Sequence, residues 1–288
     1  MRLVYATDFH GDNDAYMALA ALAHEVEARA VLLGGDLFAD TDDVAVQLAF
    51  AEGPLRHFLV HLHTAAIPVL AIPGNVDLPA AIARLRAFER EGLLHLLSLW
   101  PFPLSDAADP SDRIDVLGYP LVPPTPHRIK DHERRDLATD RYDGPSPILL
   151  SSPVAVPASQ TFISVPGDHL NRLPSIEEDL ATIRPPAWPC ALVAHSPPWG
   201  GALDLTDQGL HVGSRAIRAW IERHQPLAAL HGHIHESPDR SGHWAERIGA
   251  TVCVNPGPAA GPTLSAVVIE TTMVPHGLRH TIRRNEDV

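Results

Sequence analysis

The first third of the chain repeats one unit three times: a short apolar run, a polar loop and a longer run of helical character. The apolar runs are short and rich in branched side chains, which predicts buried strands at residues 3–7, 30–33 and 67–72. The longer runs predict helices at residues 15–28, about 42–65 and 79–91. Strands that alternate with helices in this way indicate a largely parallel sheet.

Local signals refine the predicted helices. Asn13 or Asp14 could cap the first one, because both side chains accept hydrogen bonds from free backbone amides. Gly53 and Pro54 should interrupt or kink the second, since proline lacks an amide hydrogen. Pro79 stands at an N-terminal helix position, where proline is tolerated.

The middle of the chain breaks this rhythm. A strand is predicted at residues 114–118, but residues 120–174 are dense in proline and charge, with short strands predicted only at 148–150 and 161–165. We therefore expect a loop-rich insertion at about 120–174, which is either a surface excursion or a lid over a functional site.

Regular patterns return in the last third. Helices are predicted at residues 175–183 and 212–224, and strands at 190–194, 227–230, 250–254 and 264–269. Ser214 could act near the start of the helix at 212–224. Both ends of the chain contribute strands, so we expect one domain over residues 1–288.

Composition narrows the class of protein. The 288 residues are 45% hydrophobic, enough for a sizeable core, and the formal net charge of −13 argues against sequence-independent binding to duplex nucleic acid. The start MRLVYATD is too short for a signal peptide, and no run of about 18 apolar residues exists, so we expect a cytoplasmic protein with no membrane partner. Cys190 and Cys253 lie in apolar runs and are expected to be buried free thiols.

The strongest chemical signal is HGHIH at residues 231–235. His233 and His235 alternate along an extended segment, so both imidazoles point to the same side. Two neutral imidazoles that converge on one point can bind a transition metal. Taken alone, such a pair is more often an accident of the surface or the core.

Four further segments end apolar runs with metal-ligating residue types. In chain order these residues are Asp8 and His10, Asp36, Asn75, and His195. Singly, each has a simpler explanation as a helix cap, a turn residue or a loop histidine. In a parallel sheet, however, such groups gather at the carboxyl ends of the strands. With His233 and His235 they form a set that suits Mn, Fe or Zn better than calcium, and seven ligands suit two ions that share a carboxylate.

The motifs D-x-H, GGD, GN-x-D, H and GH-x-H, in this order, resemble the calcineurin-like metallophosphoesterase superfamily. The resemblance runs from Leu3 to about Gly257, apart from the middle insertion. It implies an α/β fold, a four-layer α/β/β/α sandwich of two mixed sheets. It also implies ligand roles: Asp8, His10 and His235 for one metal, Asn75, His195 and His233 for a second, and Asp36 as the bridge.

The same resemblance implies the chemistry. Two divalent or trivalent ions, manganese first and Fe, Zn, Ni or Co as alternatives, would hold a bridging hydroxide and clamp the phosphoryl oxygens during in-line attack. Asp36, Asn75 and Asp77 are the residues expected to act in catalysis. The NPGP turn at residues 255–258 is expected to be structural.

One position departs from the family pattern. The motif is usually GNHD or GNHE, whose histidine is assigned to protonation of the leaving group, whereas this chain has Val76. We therefore expect activated or diester substrates to be favoured, unless another acid serves. By residue type alone, the candidates for this other acid are Asp77, His127, His169 and His231. For His231 we expect a structural role instead.

The charged run at residues 132–141 is typical of a solvated helix face. If the insertion folds over the site, four of its cations could still touch substrate: Arg128, Lys130, Arg134 and Arg135.

We expect metal-dependent hydrolysis of a small-molecule phosphoester, by a phosphodiesterase or a broad-specificity phosphatase. One alternative is a specific phosphomonoesterase, for example on a nucleotide. Another is a non-catalytic scaffold that uses the fold for protein contacts, although such a scaffold would be expected to lose ligands and this chain has all seven. The oligomeric state is left open.

Overall fold

Two six-stranded sheets form the centre of the fold. The computed structural model describes residues 1–106, 109–154, 161–184 and 189–283. Its strands are β1 (Arg2–Ala6), β2 (Ala30–Leu33), β3 (Val69–Ala71), β4 (His95–Leu96), β5 (Phe102–Ser105), β6 (Arg113–Tyr119), β7 (Ile148–Ser151), β8 (Phe162–Val165), β9 (Cys190–Ala194), β10 (Ala228–Leu230), β11 (Ala245–Ile248), β12 (Thr251–Val254), β13 (Val267–Glu270) and β14 (Leu278–His280). Its α-helices are α1 (Asn13–Glu25), α2 (Val44–Phe50), α3 (Arg56–Thr64), α4 (Pro79–Arg90), α5 (Ile176–Leu180), α6 (Arg215–His224) and α7 (Ser237–Ser241).

Both sheets are mixed and have a parallel centre. The first has the order β14-β13-β1-β2-β3-β4, in which β1 to β4 are parallel and β13 and β14 run antiparallel to their neighbours. The second has the order β11-β12-β10-β9-β6-β5, with β12, β10, β9 and β6 parallel and antiparallel strands at both edges. This confirms the predicted α/β class with two mixed sheets.

The alternation of side chains along each strand builds four layers. In β1, Val4 and Ala6 face a core shared with α1, α3 and α4, whereas Leu3 and Tyr5 face the second sheet. A third core lies on the far side of the second sheet, where Trp220 of α6 packs. The order of layers is therefore helices, sheet, sheet, helices.

Two helix predictions need adjustment. Asp12, and not Asn13 or Asp14, caps α1: its side chain accepts hydrogen bonds from the Asp14 amide at 2.9 Å and the Ala15 amide at 3.2 Å. The predicted helix at 42–65 is divided into α2, a π-helical turn at Ala51–Leu55 and α3. Pro54 lies inside that turn, which confirms the predicted interruption.

Both cysteines lie in the interior of the second sheet. Cys190 and Cys253 are buried and free, as predicted. Burial raises the pKa of the Cys190 thiol to about 11, so this thiol is protonated and unreactive at neutral pH. Within the described ranges, no helix is both long enough and apolar enough to cross a membrane.

The segment at 120–174 joins the two sides of the sandwich. Its strands β7 and β8 form a two-stranded sheet outside the two large sheets, and Leu149 of β7 also bridges to Ile129. Residues 155–160 of the predicted insertion lie outside the described residues. Ile129 and Phe162 pack against Val44 and Leu78, on the side of the first sheet. On the side of the second sheet, Asp136 accepts hydrogen bonds from the start of α6.

A buried ion pair braces this segment. Lys130 Nζ donates to Glu133 Oε2 at 2.6 Å and to the Thr125 carbonyl at 2.6 Å, and both charged side chains are almost fully buried. Lys130 is therefore structural: it is neither on a solvated face nor free to contact substrate, the role considered for it if the insertion covers the site. The same holds for Arg135, whose guanidinium donates to backbone carbonyls of Leu170, Ala138, Asp140 and Leu173.

Replacement of Lys130 by methionine should destabilise the protein strongly. It leaves the Glu133 carboxylate buried without a counter-charge, and breaking one half of a buried pair typically costs about 3–5 kcal/mol. The free energy of unfolding from denaturant titration measures the effect. Arg128→Met, at an exposed position of the same segment, is the control and should change little; equal stability of the two variants would contradict a bracing role.

Candidate metal centre

All seven predicted ligands lie just beyond the carboxyl ends of five parallel strands. Asp8 and His10 follow β1, Asp36 follows β2 and Asn75 follows β3 in the first sheet. In the second sheet, His195 follows β9, while His233 and His235 follow β10. The two sheets end at one edge, where these seven side chains meet.

The ligand atoms form two groups that share one carboxylate. Those of Asp8, His10, Asp36 and His235 lie within 4.8 Å of one another, as do those of Asp36, His195 and His233. Asn75 joins the second group, since its Oδ1 lies 3.1 Å from His195 Nε2. Asp36 belongs to both groups, which is the arrangement that a bridging carboxylate requires. Ligation of metal by these residues stays a prediction.

Backbone strain is concentrated at this edge. Asp8, His10, Asp36 and His233 have φ angles of 58°, 45°, 51° and 68°, four of the seven non-glycine residues with positive φ in the described chain. Each such conformation costs about 1–3 kcal/mol, so the surrounding structure must impose it. Strain of this kind clusters at functional sites.

Backbone hydrogen bonds between neighbouring loops impose that conformation. The amides of Phe9 and His10 donate to the Asp36 carbonyl at 2.9 and 3.0 Å, and the Asp8 amide donates to the Gly35 carbonyl at 3.0 Å. The loop after β1 is thereby locked to the loop after β2.

Two glycines allow the carboxylates to approach the backbone. A Cβ on Gly74 would overlap the amide nitrogen and Oδ1 of Asp36, and a Cβ on Gly232 would overlap Asp8 Oδ2 and Thr7. Neither glycine was assigned a role from the sequence. Their place immediately before Asn75 and His233 in the GN-x-D and GH-x-H motifs was the signal that could have identified them.

The donor set fits a cation because acceptor atoms face one another. His195 Nδ1 lies 2.8 Å from the Gly34 carbonyl, so it carries the proton and donates to that oxygen. The opposite nitrogen, Nε2, then faces two acceptors, Asn75 Oδ1 and Asp36 Oδ2, the latter at 3.3 Å. Converging lone pairs without hydrogen between them are stabilised by a positive charge, and nitrogen and oxygen donors of this kind suit a transition metal.

The charges of the buried groups also favour a bound cation. Burial opposes charge on Asp36, but His195 and His10 outweigh it and hold the pKa of this carboxyl well below its usual range. Burial would likewise lower the pKa of His195, yet Asp36 and Asp8 raise it to about 9. The buried carboxylates therefore stabilise positive charge here, whether a proton or a metal carries it. Burial, with His195 second, lowers the pKa of His233 to about 3, which keeps it in the neutral form that binds metals.

The carboxylate of Asp77, which is predicted to act in catalysis, is occupied by hydrogen bonds from the backbone. Its carboxylate is buried and accepts hydrogen bonds from the amides of Gly74 at 2.8 Å, Leu37 at 3.1 Å and Phe38 at 2.9 Å. Burial, with Asp36 second, raises its pKa to about 7. These contacts tie the loop after β2 to the loop after β3. These hydrogen bonds suit Asp77 to positioning the loops of Asp36 and Asn75, and its part in catalysis stays a prediction.

The remaining acid candidates do not join the cluster. His231 is buried, and its Nδ1 lies 3.0 Å from the carbonyls of Ala194 and Ser196, which supports a structural role. His127 is exposed and His169 partly exposed; neither makes a hydrogen bond to the seven residues among the described contacts. Asn255 of the NPGP turn donates to the Ile234 carbonyl at 3.1 Å, so it too supports the loop at 231–235.

Sequence reasoning missed His132. The charged run around it was interpreted as a solvated face, but the Nε2 atom of His132 is buried. Burial, and next the cation of Arg134, lower the pKa of His132 to about 4, so its ring is neutral near neutral pH. No local pattern in HERRD distinguishes this histidine from a surface one.

The chain resembles known proteins in both sequence and fold. The model of the calcineurin-like phosphoesterase family matches residues 1–237. No curated protein gave a significant match to the sequence.

Solved structures share the fold at low identity. The TT1561 protein of Thermus thermophilus superposes with a TM-score of 0.57 at 16% identity, with 97% of each chain covered. An archaeal phosphodiesterase superposes with a TM-score of 0.44 at 9% identity, with 97% of this chain and 98% of that chain covered. The Thermus likeness shows the fold alone.

Replacement of Gly74 by alanine should disrupt the centre. The new methyl group would overlap the Asp36 backbone, and overpacking of this kind costs about 1–3 kcal/mol while it displaces the shared carboxylate. We expect a lower melting temperature and reduced metal content by elemental analysis. Gly53→Ala is the matched control, because a Cβ there meets no atom within 4 Å; a Gly74→Ala protein with the metal content of Gly53→Ala would refute the close-approach argument.

Proposed function

The chain belongs to the calcineurin-like phosphoesterase family, and on that premise we propose that it hydrolyses phosphoesters of small molecules with two bound metal ions. The preferred interpretation is a phosphodiesterase or a broad-specificity phosphatase. The observation that carries the proposal is the meeting of seven nitrogen and oxygen ligands in two groups around Asp36.

The chain's own residues would hold and orient the reacting groups. Asp8, His10 and His235 would hold one ion, Asn75, His195 and His233 the other, and Asp36 both. When bound, the ions supply positive charge for the phosphoryl oxygens and make a water acidic enough to act as nucleophile near neutral pH. The strained, hydrogen-bonded loops keep the ligands in place before substrate arrives, so little reorganisation is needed during the reaction.

The charge of the whole chain supports a small substrate. A net charge of −13 opposes the phosphate backbone of duplex nucleic acid, whereas a local pair of cations can still attract one phosphoester. We propose manganese as the first metal to test, since the donor set also accepts Fe, Zn, Ni or Co with modest preference. A cytoplasmic location is proposed on the sequence alone.

Metal removal should abolish phosphoester hydrolysis, and metal return should restore it. The test uses purified protein, exhaustive chelation and add-back of each metal, with a bis-aryl phosphate and a mono-aryl phosphate as substrates. Faster hydrolysis of the bis-aryl substrate favours the phosphodiesterase; faster hydrolysis of the mono-aryl one favours the nucleotide-type monoesterase. Hydrolysis that survives chelation would end the proposal, and a protein that binds no metal would favour a scaffold.

Asp36→Asn should lower both metal content and rate. An amide cannot bridge two cations as a carboxylate does, so we expect elemental analysis to fall below two ions per chain and kcat/KM to fall about 100-fold or more. Asp40→Asn, at an exposed position just beyond the same loop, is the control with unchanged metal content. Two ions retained by Asp36→Asn would exclude the bridging role.

A further inference from the structure

A second pair of histidines meets outside the cluster of seven ligands. His24 of α1 and His61 of α3 are exposed, and their Nε2 atoms lie 3.1 Å apart. We propose that these two nitrogens bind one divalent late transition metal ion, of which Zn²⁺ is the first to test. Imidazole nitrogen suits zinc, copper and nickel, whereas Mn²⁺ ranks lowest in affinity among such ions. The inference does not depend on the proposed phosphoester hydrolysis.

The geometry of this pair repeats that of a histidine pair in the candidate metal centre. His10 and His235 also have Nε2 atoms 3.1 Å apart, with ring centroids separated by 4.8 Å and ring planes inclined by 68°. For His24 and His61 the centroid separation is 5.1 Å and the inclination is 76°. Two nitrogens that each bind a tetrahedral zinc ion at about 2.0–2.1 Å lie roughly 3.3 Å from each other. The observed spacing therefore fits two ligands of one ion.

Packing between the two helices fixes the positions of the rings. Tyr16 of α1 and Phe58 of α3 contact each other edge to face, with ring centroids 5.0 Å apart, and both are fully buried. His24 and His61 lie further along the same two helices, so this contact also sets the distance between their backbones. Ligands that are positioned before binding lose little conformational freedom when an ion arrives.

Both histidines lie in the last turn of their helices. The two helices end in the same type of turn: the Ala28 amide donates to the Ala23 carbonyl at 2.8 Å, and the Ile67 amide donates to the Leu62 carbonyl at 3.0 Å. The C-terminal end of a helix carries partial negative charge, which stabilises a cation beside it. Two such helix ends flank the histidine pair, and both favour a bound cation.

The pair lies at the opposite edge of the first sheet from the seven ligands. The helices α1 and α3 lead into the starts of β2 and β3, whereas the ligands follow the ends of the strands. At a rise of about 1.5 Å per residue, His24 is roughly 16 Å along α1 from Asn13. The site is therefore separate from the candidate metal centre, and an ion bound there would tie α1 to α3.

The competing explanation is a hydrogen bond between the two rings. One Nε2 atom would then carry a hydrogen and donate it to the other, but such a bond between exposed groups competes with water and contributes little to stability. A bound ion, by contrast, accepts the lone pairs of both nitrogens. Within the described ranges, no third histidine, cysteine, aspartate or glutamate atom completes a group with this pair within 4.8 Å. Water would therefore fill the other positions around the ion.

Equilibrium dialysis against Zn²⁺ tests the proposal. The full chain is first loaded with Mn²⁺ and then dialysed against increasing concentrations of Zn²⁺, and elemental analysis counts manganese and zinc together. His24→Gln and His61→Gln should each bind one ion fewer per chain than the wild type, and the double variant should lose no more than either single variant. His63→Gln, which replaces another exposed histidine of α3, is the control and should bind as many ions as the wild type.

Thermal unfolding gives a second measurement. Zn²⁺ should raise the melting temperature of the wild type by about 2–4 °C more than that of either variant, because the ion binds the folded chain across two helices. Equal ion counts in the wild type and in folded variants would overturn the inference and leave the pair as a hydrogen bond. If a variant does not fold, NMR of the wild type decides: selective broadening of the His24 and His61 ring signals by Cu²⁺ supports the site, and unchanged signals overturn it.

Discussion

The carboxylate of Asp36 is shared by two groups of ligand atoms, and the rest of the centre is arranged around it. Two contacts and two backbone features fix it. The contacts come from the amide of Val76 and the ring of His195; the backbone features are the missing side chain at Gly74 and the left-handed conformation of Asp36 itself. Together they hold one buried negative charge where two sets of neutral and cationic groups can converge on it.

The double-sheet sandwich makes this convergence geometrically simple. Parallel strands end on the same side, so the loops after β1, β2 and β3 of one sheet meet those after β9 and β10 of the other along one edge. Ligands that are far apart in sequence, such as Asp8 and His235, come within 3.1 Å by this means alone. The free energy gained by burial in the large cores then supports a site whose own loops are strained.

The insertion belongs to this edge and is more than a connection. It packs on Leu78 beside the loop after β3 and bonds to the start of α6, so it crosses the place where the two sheets end. Its charges serve mainly its own structure, as Lys130 and Arg135 illustrate.

The sequence by itself determined most of the central strands and helices and the set of candidate ligands. Repeated apolar runs followed by polar loops predicted the parallel strands, and the order of the motifs indicated the family before any contact was known. It did not predict the short edge strands β4, β5, β11 and β14, because each contains polar residues and forms no continuous apolar run. Only the tertiary structure decided the positions of Asp77 and His132. Asp77 turns its oxygens to backbone amides of two loops, and the packing of the insertion encloses the Nε2 atom of His132. Both positions depend on contacts between distant segments, which no local pattern encodes.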